Sequence, residues 1–409
     1  MGETMPGAAP DAVRARPTPR VALVSSSYAP HVGGVEEHVR QVARELHEAG
    51  SAVEVWTVDR GTGSVVREVD GISVRYLPTP LPSGSLGGVG RFLRRFPSAW
   101  RSWVGAHRAF RPDVIHVHCF GPNGVYALAV HRRFRTPLVV TSHGETVADD
   151  NAVFERSALL RTGLRRSLAV ARHVTAPSQF VLDELRANFG LAGGDVVPNG
   201  VDLSIPGDPA RTAFSGRYLL AVGRLGRVKG FDLLVDAFAG SDLDPDVRLV
   251  IVGDGPERER LEALAAERDA GHRIVLAGRL DPAAVADAMA GAVAVVVPSR
   301  LEAFGIVALE AWRSGAPLVM TDRGGAPGFV RDGVDGILVD PLDPAALRSA
   351  MARAVADDAL RSRLVAAGRE HVREFTWRRV AEAYEAVYAA AVARAGRERS
   401  THGTEASAR

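Results

Sequence analysis

The sequence predicts an α/β protein with two doubly wound, Rossmann-like parallel-sheet domains. Three observations lead to this fold class. Short apolar segments alternate with helical patterns along nearly the whole chain, which is typical of parallel sheets with helices on both faces. At 409 residues the chain is long for one domain and comfortable for two. A turn-rich stretch with few apolar residues interrupts the alternation between residues 200 and 215.

The first domain is predicted over residues 19–200. Its first strand is Arg20 to Ser26, and Gly34 to Ala49 is predicted to form an amphipathic helix. Further apolar segments predict strands at residues 53–58, 71–77, 114–118, 138–142, 174–176 and 196–197. The turn clusters Asn199-Gly200 and Pro206–Pro209 that follow predict a linker.

The second domain is predicted over residues 216–375, because the alternation restarts at Tyr218. Its further strands are predicted near residues 247–252, 273–276, 293–297, 317–320 and 337–339. Residues 376–393 are predicted to form one long helix. Residues 1–18 and 394–409 are predicted to be a disordered leader and tail, and the leader lacks the apolar segment of a secretory signal.

The composition excludes several classes of protein. Charged residues make up 24% and hydrophobic residues 46% of the chain, and the net charge is only +2, so nothing global indicates a nucleic-acid partner. The single cysteine, Cys119, excludes an intramolecular disulfide and fits a reducing compartment. No run of 18 or more apolar residues predicts a spanning helix. We therefore expect a cytoplasmic protein, with peripheral contact at the inner membrane face as an alternative.

Basic and aromatic residues interleave at helical spacing in residues 86–111. The favoured interpretation is an amphipathic helix that packs on the N-terminal sheet and leaves its arginines in water. The alternative is contact with an anionic membrane surface or with a lipid-linked acceptor. Pro97 interrupts the pattern, which weakens both interpretations.

Two glutamates eight positions apart, Glu302 and Glu310, follow an apolar segment at residues 293–297. That segment predicts a buried strand, and a helical pattern begins at Phe304. Glu302 is therefore expected on the loop at the carboxyl end of the strand, and Glu310 about two turns into the helix. The helix N-terminus suits an anion such as a diphosphate. It is formed by the amides around Phe304, Gly305 and Ile306.

A second segment, residues 221–230, places two cations after a strand. Arg224 and Lys229 lie on the turn that follows the strand end, and Gly230 opens the next helix. Two cations and a helix N-terminus at one strand end suit a diphosphate electrostatically.

Together, these segments resemble the E-x7-E and G-R-L-x3-K-G motifs of the retaining glycosyltransferases of family 4, which have the GT-B fold. The resemblance also covers Ser25–Val39, His143-Gly144 and Pro198–Asp202, and it spans nearly all of residues 20–393. It implies two domains that face a cleft, with the last helix crossing back to the first domain. It also implies an enzyme that moves a hexose-type sugar, with retention, from a nucleoside diphosphate sugar to a hydroxyl of a glycan, a lipid-linked sugar or a small molecule.

The resemblance implies roles for particular residues. His143 lies beside the donor sugar and the reaction centre. Arg224 and Lys229 neutralise the charge that grows on the departing diphosphate. Glu302 holds hydroxyls of the donor sugar, and Glu310 accepts hydrogen bonds from the ribose diol. The remaining candidates contact substrate more peripherally; they are Gly33 and Gly34 at the diphosphate and acceptor, Glu145 at the acceptor, Asn199 at the hinge, Gly253 beside the nucleotide and Arg279 at the base.

The sequence does not indicate a metal or another cofactor. No Asp-x-Asp follows a strand, since the nearest example, Asp242–Asp246, lies in a polar loop before one. His116 and His118 share a strand face from which Cys119 points away, so their geometry for zinc is poor. The two cations and the helix amides replace a metal at the diphosphate, which predicts metal-independent chemistry.

Other functions stay open. An NAD-dependent dehydrogenase is disfavoured, because the first strand is followed by Gly33-Gly34 and not by G-x-G-x-x-G. A pyridoxal-phosphate phosphorylase would need a Schiff-base lysine, and Lys229 is already assigned. A sugar-nucleotide epimerase and a non-catalytic nucleotide-sugar-binding subunit remain as alternatives.

Overall fold

The computed structural model describes residues 18–29, 33–61, 65–82, 85–147 and 153–407. The strands of the first sheet are β1 (Val21–Ser25), β2 (Val53–Val58), β3 (Val65–Val69), β4 (Ile72–Leu77), β5 (Val114–His118), β6 (Leu138–Thr141), β7 (His173–Ala176) and β8 (Asp195–Val196). Those of the second sheet are β9 (Tyr218–Val222), β10 (Arg248–Val252), β11 (Ile274–Gly278), β12 (Ala294–Val297), β13 (Leu318–Thr321) and β14 (Ile337–Val339).

The strand order is β3-β4-β2-β1-β5-β6-β7-β8 in the first sheet and β11-β10-β9-β12-β13-β14 in the second. Every pairing is parallel except that of β3 with β4. The predicted α/β class with two parallel-sheet domains is therefore confirmed. In each sheet the strand order reverses beside the first strand, which places a crevice at the carboxyl ends of the strands.

The antiparallel edge strand β3 was not predicted. It forms a hairpin with β4 through Asp70 and Gly71, whose φ angles of 52° and 76° are the left-handed values that a type I′ turn needs. The Asp-Gly pair is visible in the sequence, but most of β3 is exposed at the sheet edge, so the strand has no continuous apolar run. The hairpin adds one antiparallel edge strand to an otherwise parallel sheet.

Helices cover both faces of each sheet. They are α1 (Gly34–Glu48), α2 (Leu86–Phe110), α3 (Pro122–Phe134), α4 (Val153–Arg156), α5 (Ala158–Val170), α6 (Gln179–Phe189), α7 (Phe231–Ala239), α8 (Arg258–Glu267), α9 (Pro282–Gly291), α10 (Ile306–Ser314), α11 (Pro344–Ala356), α12 (Asp358–His371) and α13 (Trp377–Ser407). In the first domain, α2, α3, α5 and α6 pack on one face of the sheet, and α1 and α13 pack on the other. Pro97 lies inside α2, which nevertheless continues through it as a single helix.

The chain crosses between the domains twice, and the two crossings are bonded to each other. The amide of Val201, on the outgoing segment, donates to the carbonyl of Phe375 on the returning one. Gly200 lies so close to the return that a Cβ there would be 2.6 Å from the amide nitrogen of Trp377. The returning segment leads into α13, whose Tyr384 and Tyr388 are buried against the first domain. The predicted crossing back of the last helix is thus confirmed.

Helix α13 is longer than the sequence indicated. It runs on to Ser407, so most of the segment 394–409, which was predicted to be a disordered tail, is helical. Residues 1–17 of the predicted leader lie outside the described residues, as do residues 408 and 409. Within the described part of the chain, no helix is both long enough and apolar enough to cross a bilayer.

The anchoring of α13 can be tested with Tyr388→Phe. The Tyr388 hydroxyl lies 2.7 Å from Nδ1 of the buried His116, so the substitution leaves a buried imidazole nitrogen without its partner. We expect the free energy of unfolding to fall by about 1–3 kcal/mol. Denaturant unfolding measures this, with the exposed Glu382→Gln on the same helix as the control. A loss for Tyr388→Phe that is no greater than the loss for the control would contradict the anchoring role.

Candidate active site

The N-termini of two helices meet across the cleft. A Cβ on Gly34, at the start of α1, would lie 3.8 Å from Cδ1 of Ile306 at the start of α10. Gly305 caps α10 with a φ of 93°, a left-handed value that favours glycine, and a Cβ there would lie 2.6 Å from Cε of Met320. The amides in the first turn of a helix have no intrahelical acceptor and carry partial positive charge. Because the two helix starts lie side by side, their positive potentials add in the cleft.

The two helix starts differ in what already neutralises them. A Cβ on Gly33, the N-cap of α1, would lie 2.6 Å from a carboxylate oxygen of Glu36. The Glu36 carboxylate therefore lies over the start of α1 and partly balances its positive end. The first turn of α10 contains no acidic residue. The Glu302 carboxylate also lies near the start of α10, since a Cβ on Gly305 would be 3.6 Å from its Cδ, but Nζ of Lys229 lies 2.7 Å from that carboxylate and balances its charge. The two helix starts therefore differ because the acid beside α10 is already paired with a cation.

Lys229 and Glu302 come from the two predicted motifs and form one ion pair. Lys229 follows β9, Glu302 follows β12, and Nζ lies 2.7 Å from Oε2. The hydroxyl of Ser299 donates to the same oxygen at 2.8 Å. Glu302 is only 8% exposed, so its charge needs these partners. Lys229 was predicted to contact the diphosphate and Glu302 the donor sugar. The structure places the two side chains in direct contact with each other.

The backbone around Glu302 is held from both sides. Its amide donates to the carbonyl of Arg323, and its carbonyl accepts from the amide of Gly325. The side chain of Phe304 is buried and stacks on Phe329 with ring centroids 4.3 Å apart. Residues 304–306 were predicted to contact the ligand. Because the ring of Phe304 is buried, Phe304 can contact a ligand only through its backbone.

Glu310 lies on α10, about one turn after the first residue of this helix, Ile306. It is half-buried, and this burial raises the pKa of its carboxyl group, while Arg313 opposes the rise and Glu37 of α1 adds to it. Arg313 also donates to the carbonyl of Asp202 in the linker. The position of Glu310 is compatible with hydrogen bonds to a ligand that extends along α10.

The remaining second-domain candidates line the turns after neighbouring strands. The side chains of Arg224 and Arg279 are exposed after β9 and β11. Between them, Gly253 has a φ of 142°, and a Cβ on it would lie 1.9 Å from the carbonyl oxygen of Gly223. Its amide donates to the carbonyl of Gly278. The role of Gly253 is thus to let three turns stack closely beside the cleft.

His143 belongs to a buried cluster of four histidines. Its Nε2 lies 3.2 Å from Nδ1 of His118, and its ring lies 4.6 Å from that of His38. His116 completes the cluster, with its ring 3.9 Å from that of His118. His38 was not predicted from the sequence, although it lies on the buried stripe of α1, where a polar residue is a visible signal.

Partners from distant parts of the chain fix this cluster. Nδ1 of His38 lies 2.7 Å from Oδ1 of Asn199, and its Nε2 lies 3.1 Å from the Tyr384 hydroxyl. His116 bonds to Tyr388 and to Thr141. The Asn199 side chain, which was predicted at the hinge as a peripheral substrate contact, is buried against His38 and orients the cluster.

Three of these histidines are close enough to hold a metal ion. One ring nitrogen each from His38, His118 and His143 lies within 4.8 Å of the others, a group that was not predicted from the sequence. Both nitrogens of His38 already have hydrogen-bond partners, so ligation would break one of those bonds. Burial lowers the pKa of His38 to about 4 and lowers the pKa values of His118 and His143 as well, so all three are neutral at pH 7.

Glu145 is engaged inside the first domain. One carboxylate oxygen accepts from the amide of Phe120, and the other accepts from the amide of His143 and the hydroxyl of Ser142. Burial raises the pKa of Glu145, and these donors oppose that rise. The carboxylate thus braces the loops after β5 and β6, in place of the predicted acceptor contact.

The two domains also touch directly. The hydroxyl of Ser178, at the start of α6, donates to the carbonyl of Ala303 at 2.6 Å. Gly144 faces the same residue, and a Cβ on it would lie 2.4 Å from that of Ala303. The loop that bears Glu302 is therefore in contact with the loop that bears His143.

Two facing Rossmann-like domains, with paired helix starts and an acid–lysine pair in the cleft, define a GT-B glycosyltransferase. The model described as Glycosyltransferase Family 4 matches residues 32–205, and the one described as Glycosyl transferases group 1 matches residues 212–371. The chain belongs to this family of glycosyltransferases, which confirms the resemblance seen in the sequence.

Relatives and solved structures agree with this assignment. The chain is 33% identical to a D-inositol 3-phosphate glycosyltransferase from Acidothermus cellulolyticus, over 94% of this chain and 92% of the relative. It is also 33% identical to D-inositol 3-phosphate glycosyltransferase 1 from Catenulispora acidiphila, over 88% and 91%. Among solved structures, the sucrose-phosphate synthase from Thermosynechococcus elongatus matches with a TM-score of 0.76 and 26% identity, over 90% of this chain and 98% of that one.

The histidine cluster predicts an acid-sensitive fold. His38 stays neutral in the folded state down to about pH 4, whereas an unfolded histidine takes up a proton near pH 6.5. The unfolded chain therefore binds more protons in this range, and stability is lost as the pH falls from 6.5 towards 4. We expect a slope of up to about 1.4 kcal/mol per pH unit for each histidine.

Denaturant unfolding at pH 7.5, 6.5 and 5.5 measures this slope. The slope should be shallower in His38→Gln, because one titrating group is removed. His47→Gln, an exposed position on the same helix, serves as the control and should keep the wild-type slope. Equal slopes in all three proteins would rule out His38 as a source of the acid sensitivity.

Proposed function

We propose that this glycosyltransferase moves a hexose-type sugar from a nucleoside diphosphate sugar to an acceptor hydroxyl and retains the anomeric configuration. The observation that carries the proposal is the Lys229–Glu302 pair at the start of α10. It combines a cation, helix amides and a carboxylate within one short stretch of the cleft. A diphosphate needs the first two, and sugar hydroxyls need the third.

In this proposal the leaving diphosphate lies at the start of α10. Lys229 and the amides of Gly305 and Ile306 receive the negative charge as the glycosidic bond breaks, and Arg224 adds to the field from the neighbouring turn. Donors fixed in advance cost no reorganisation during the reaction. Lys229 can shift from Glu302 to the phosphate, which releases one carboxylate oxygen to accept from a sugar hydroxyl.

The proposed retention rests on the first-domain side of the cleft. An inverting enzyme needs a base that activates the acceptor on the face opposite the leaving group. Glu145, the carboxylate nearest His143, has both oxygens engaged by internal donors and is poorly suited to that role. The leaving phosphate oxygen is then the better base, and the acceptor attacks from the same face. His143, neutral because of burial, would hydrogen-bond the sugar.

For the acceptor, we propose a polyol phosphate as the first compound to test. The relatives named above act, by their names, on D-inositol 3-phosphate. On the acceptor side of the cleft, the exposed Arg60 follows β2 and donates to the hydroxyl of Ser27 after β1. A guanidinium at this edge of the first sheet suits a phosphate group.

An epimerase and a non-catalytic binding subunit are separated from a transferase by their products. The protein is incubated with UDP-, GDP- and ADP-hexoses, each with and without D-inositol 3-phosphate, free inositol or a glycan acceptor. A transferase yields a glycoside only when acceptor is present. An altered nucleotide sugar without acceptor would indicate an epimerase, and binding of the donor without any product would indicate a binding subunit.

The two glutamates should respond differently to substitution. Glu310→Gln is expected to raise KM for the donor about tenfold with kcat nearly unchanged, because it loses contacts that the ground state and the transition state share. Glu302→Gln is expected to lower kcat about 100-fold or more, since Glu302 and Lys229 act where charge develops. Arg227→Gln, an exposed position in the Lys229 turn, is the control. Binding defects alone, equal in both variants, would refute the assigned roles.

The product should keep the anomeric configuration of the donor, and the reaction should proceed in EDTA, because Lys229, Arg224 and the α10 amides replace a metal at the diphosphate. NMR of the fresh glycoside, through its anomeric coupling constant, decides the stereochemistry. A β-linked product from an α-linked donor would refute retention. A loss of activity in EDTA that Mg²⁺ or Mn²⁺ restores would refute metal independence.

A further inference from the structure

Helices α2, α3 and α5 form one continuous surface on the first domain, which we call the arginine face. These helices and their C-terminal cap residues contain no aspartate or glutamate. They contain twelve arginines: Arg91, Arg94, Arg95, Arg101, Arg108, Arg111, Arg132, Arg133, Arg135, Arg161, Arg165 and Arg166. All except Arg161 are exposed. A surface this large with charge of a single sign is not explained by ordinary solvation of a helix.

The arginine face differs from the rest of the molecule. The whole chain has 50 basic and 48 acidic residues, so 50 less 12 leaves 38 basic residues against the same 48 acidic ones. The chain outside this face therefore has a net charge of −10, whereas the face carries +12. The small overall charge of +2 is the sum of these two opposite charges. Within the described residues, none of the twelve arginines forms a salt bridge with a carboxylate. Such a field attracts a polyanionic partner.

Apolar side chains protrude from the same face. Leu86 and Leu93 on α2 are 95% and 62% exposed, and Phe96 and Leu159 are exposed as well. A groove of about 500 Å³ runs between the three helices and is lined by Phe96, Trp100, Val125, Leu128 and Leu159. Arg132, Arg133 and Arg166 lie along it. An apolar groove bordered by cationic guanidinium groups complements a lipid interface, which has an apolar interior and anionic headgroups.

We propose that the arginine face binds an anionic phospholipid bilayer. The leucines of α2 and the groove take acyl chains, and the arginines bind the phosphates of the headgroups. A nucleic acid fits the charge but gives no apolar partner to leucines that stand free on a helix. The bilayer accounts for both, and it goes beyond glycosyl transfer because the face lies outside the residues assigned to the donor. Pro97 does not oppose this, since α2 continues through it.

The test uses the whole protein and sucrose-loaded vesicles, without donor or acceptor. We expect sedimentation with vesicles of 70% phosphatidylcholine and 30% phosphatidylglycerol, and no sedimentation with pure phosphatidylcholine. Binding should weaken as NaCl rises from 50 to 500 mM, because salt screens surface charges. Equal binding to both vesicles, or to neither, would overturn the proposal. Binding to a single-stranded oligonucleotide without binding to vesicles would indicate a nucleic-acid surface instead.

Charge-reversed and apolar variants separate the two contributions. Arg94→Glu with Arg95→Glu should lower the vesicle partition coefficient about 30-fold or more. Leu86→Ser with Leu93→Ser should lower it about tenfold or more, which a purely electrostatic partner would not require. The matched control is Arg353→Glu with Arg363→Glu, two exposed positions on α11 and α12. An equal loss in the control, or no loss in either test variant, would contradict the proposal.

Tryptophan fluorescence gives a readout that is independent of sedimentation. Trp56, Trp103, Trp312 and Trp377 are buried, and Trp100, which lines the groove, is partly exposed. Vesicles with brominated acyl chains should quench the emission of the wild type and should have much less effect on Trp100→Phe. Unchanged quenching in Trp100→Phe would show that the groove does not meet the acyl chains. Because no substrate is present, this outcome is separate from success or failure of the proposed transfer reaction.

Discussion

The arrangement of the second domain depends on the ion pair between Lys229 and Glu302. A carboxylate this deeply buried is costly unless a cation and hydrogen-bond donors compensate it. The lysine comes from the turn after β9 and the glutamate from the loop after β12, and these strands are neighbours in the sheet. The pair therefore joins two motifs that are more than 70 residues apart in sequence, and it fixes where α10 begins. The start of α10 in turn sets the place at which an anionic ligand meets the first domain.

Much of the fold follows from local sequence, because parallel strands buried on both faces are continuous apolar runs. The strands around Val295 and Leu220 were therefore predictable to within a few residues. The strand β3 was not, since Val66 and its neighbours lie on an exposed edge, and only the Asp70-Gly71 turn marks it. The end of α13 was also mispredicted. Its sequence after Arg394 is mostly polar and lacks the apolar period on which prediction depends.

The residues of the candidate site also differ in whether the sequence predicts them. Glu302 and Lys229 could be predicted because each follows a strand at fixed spacing within a short motif. The partners of His143 could not, since they come from α1, the linker and the last helix, and the sequence contains no local sign of such contacts. Glu145 and Asn199 were named as substrate contacts from their places in the sequence, and the folded chain gives both side chains internal partners. Their positions are close to the cleft, but their side chains turn inward to donors that only the folded chain assembles.

The paired crossings between the domains have a mechanical consequence. One crossing would let the second domain swivel and slide freely. Two crossings bonded side by side, at Val201 and Phe375, define a line, and rotation about that line is the easiest relative motion left. The bond from Ser178 to Ala303 joins the two domains at a second place, so a rotation that opens the cleft there has to break it. Because Ala303 adjoins Glu302, any movement that separates Ser178 from Ala303 also acts on the loop that bears Glu302.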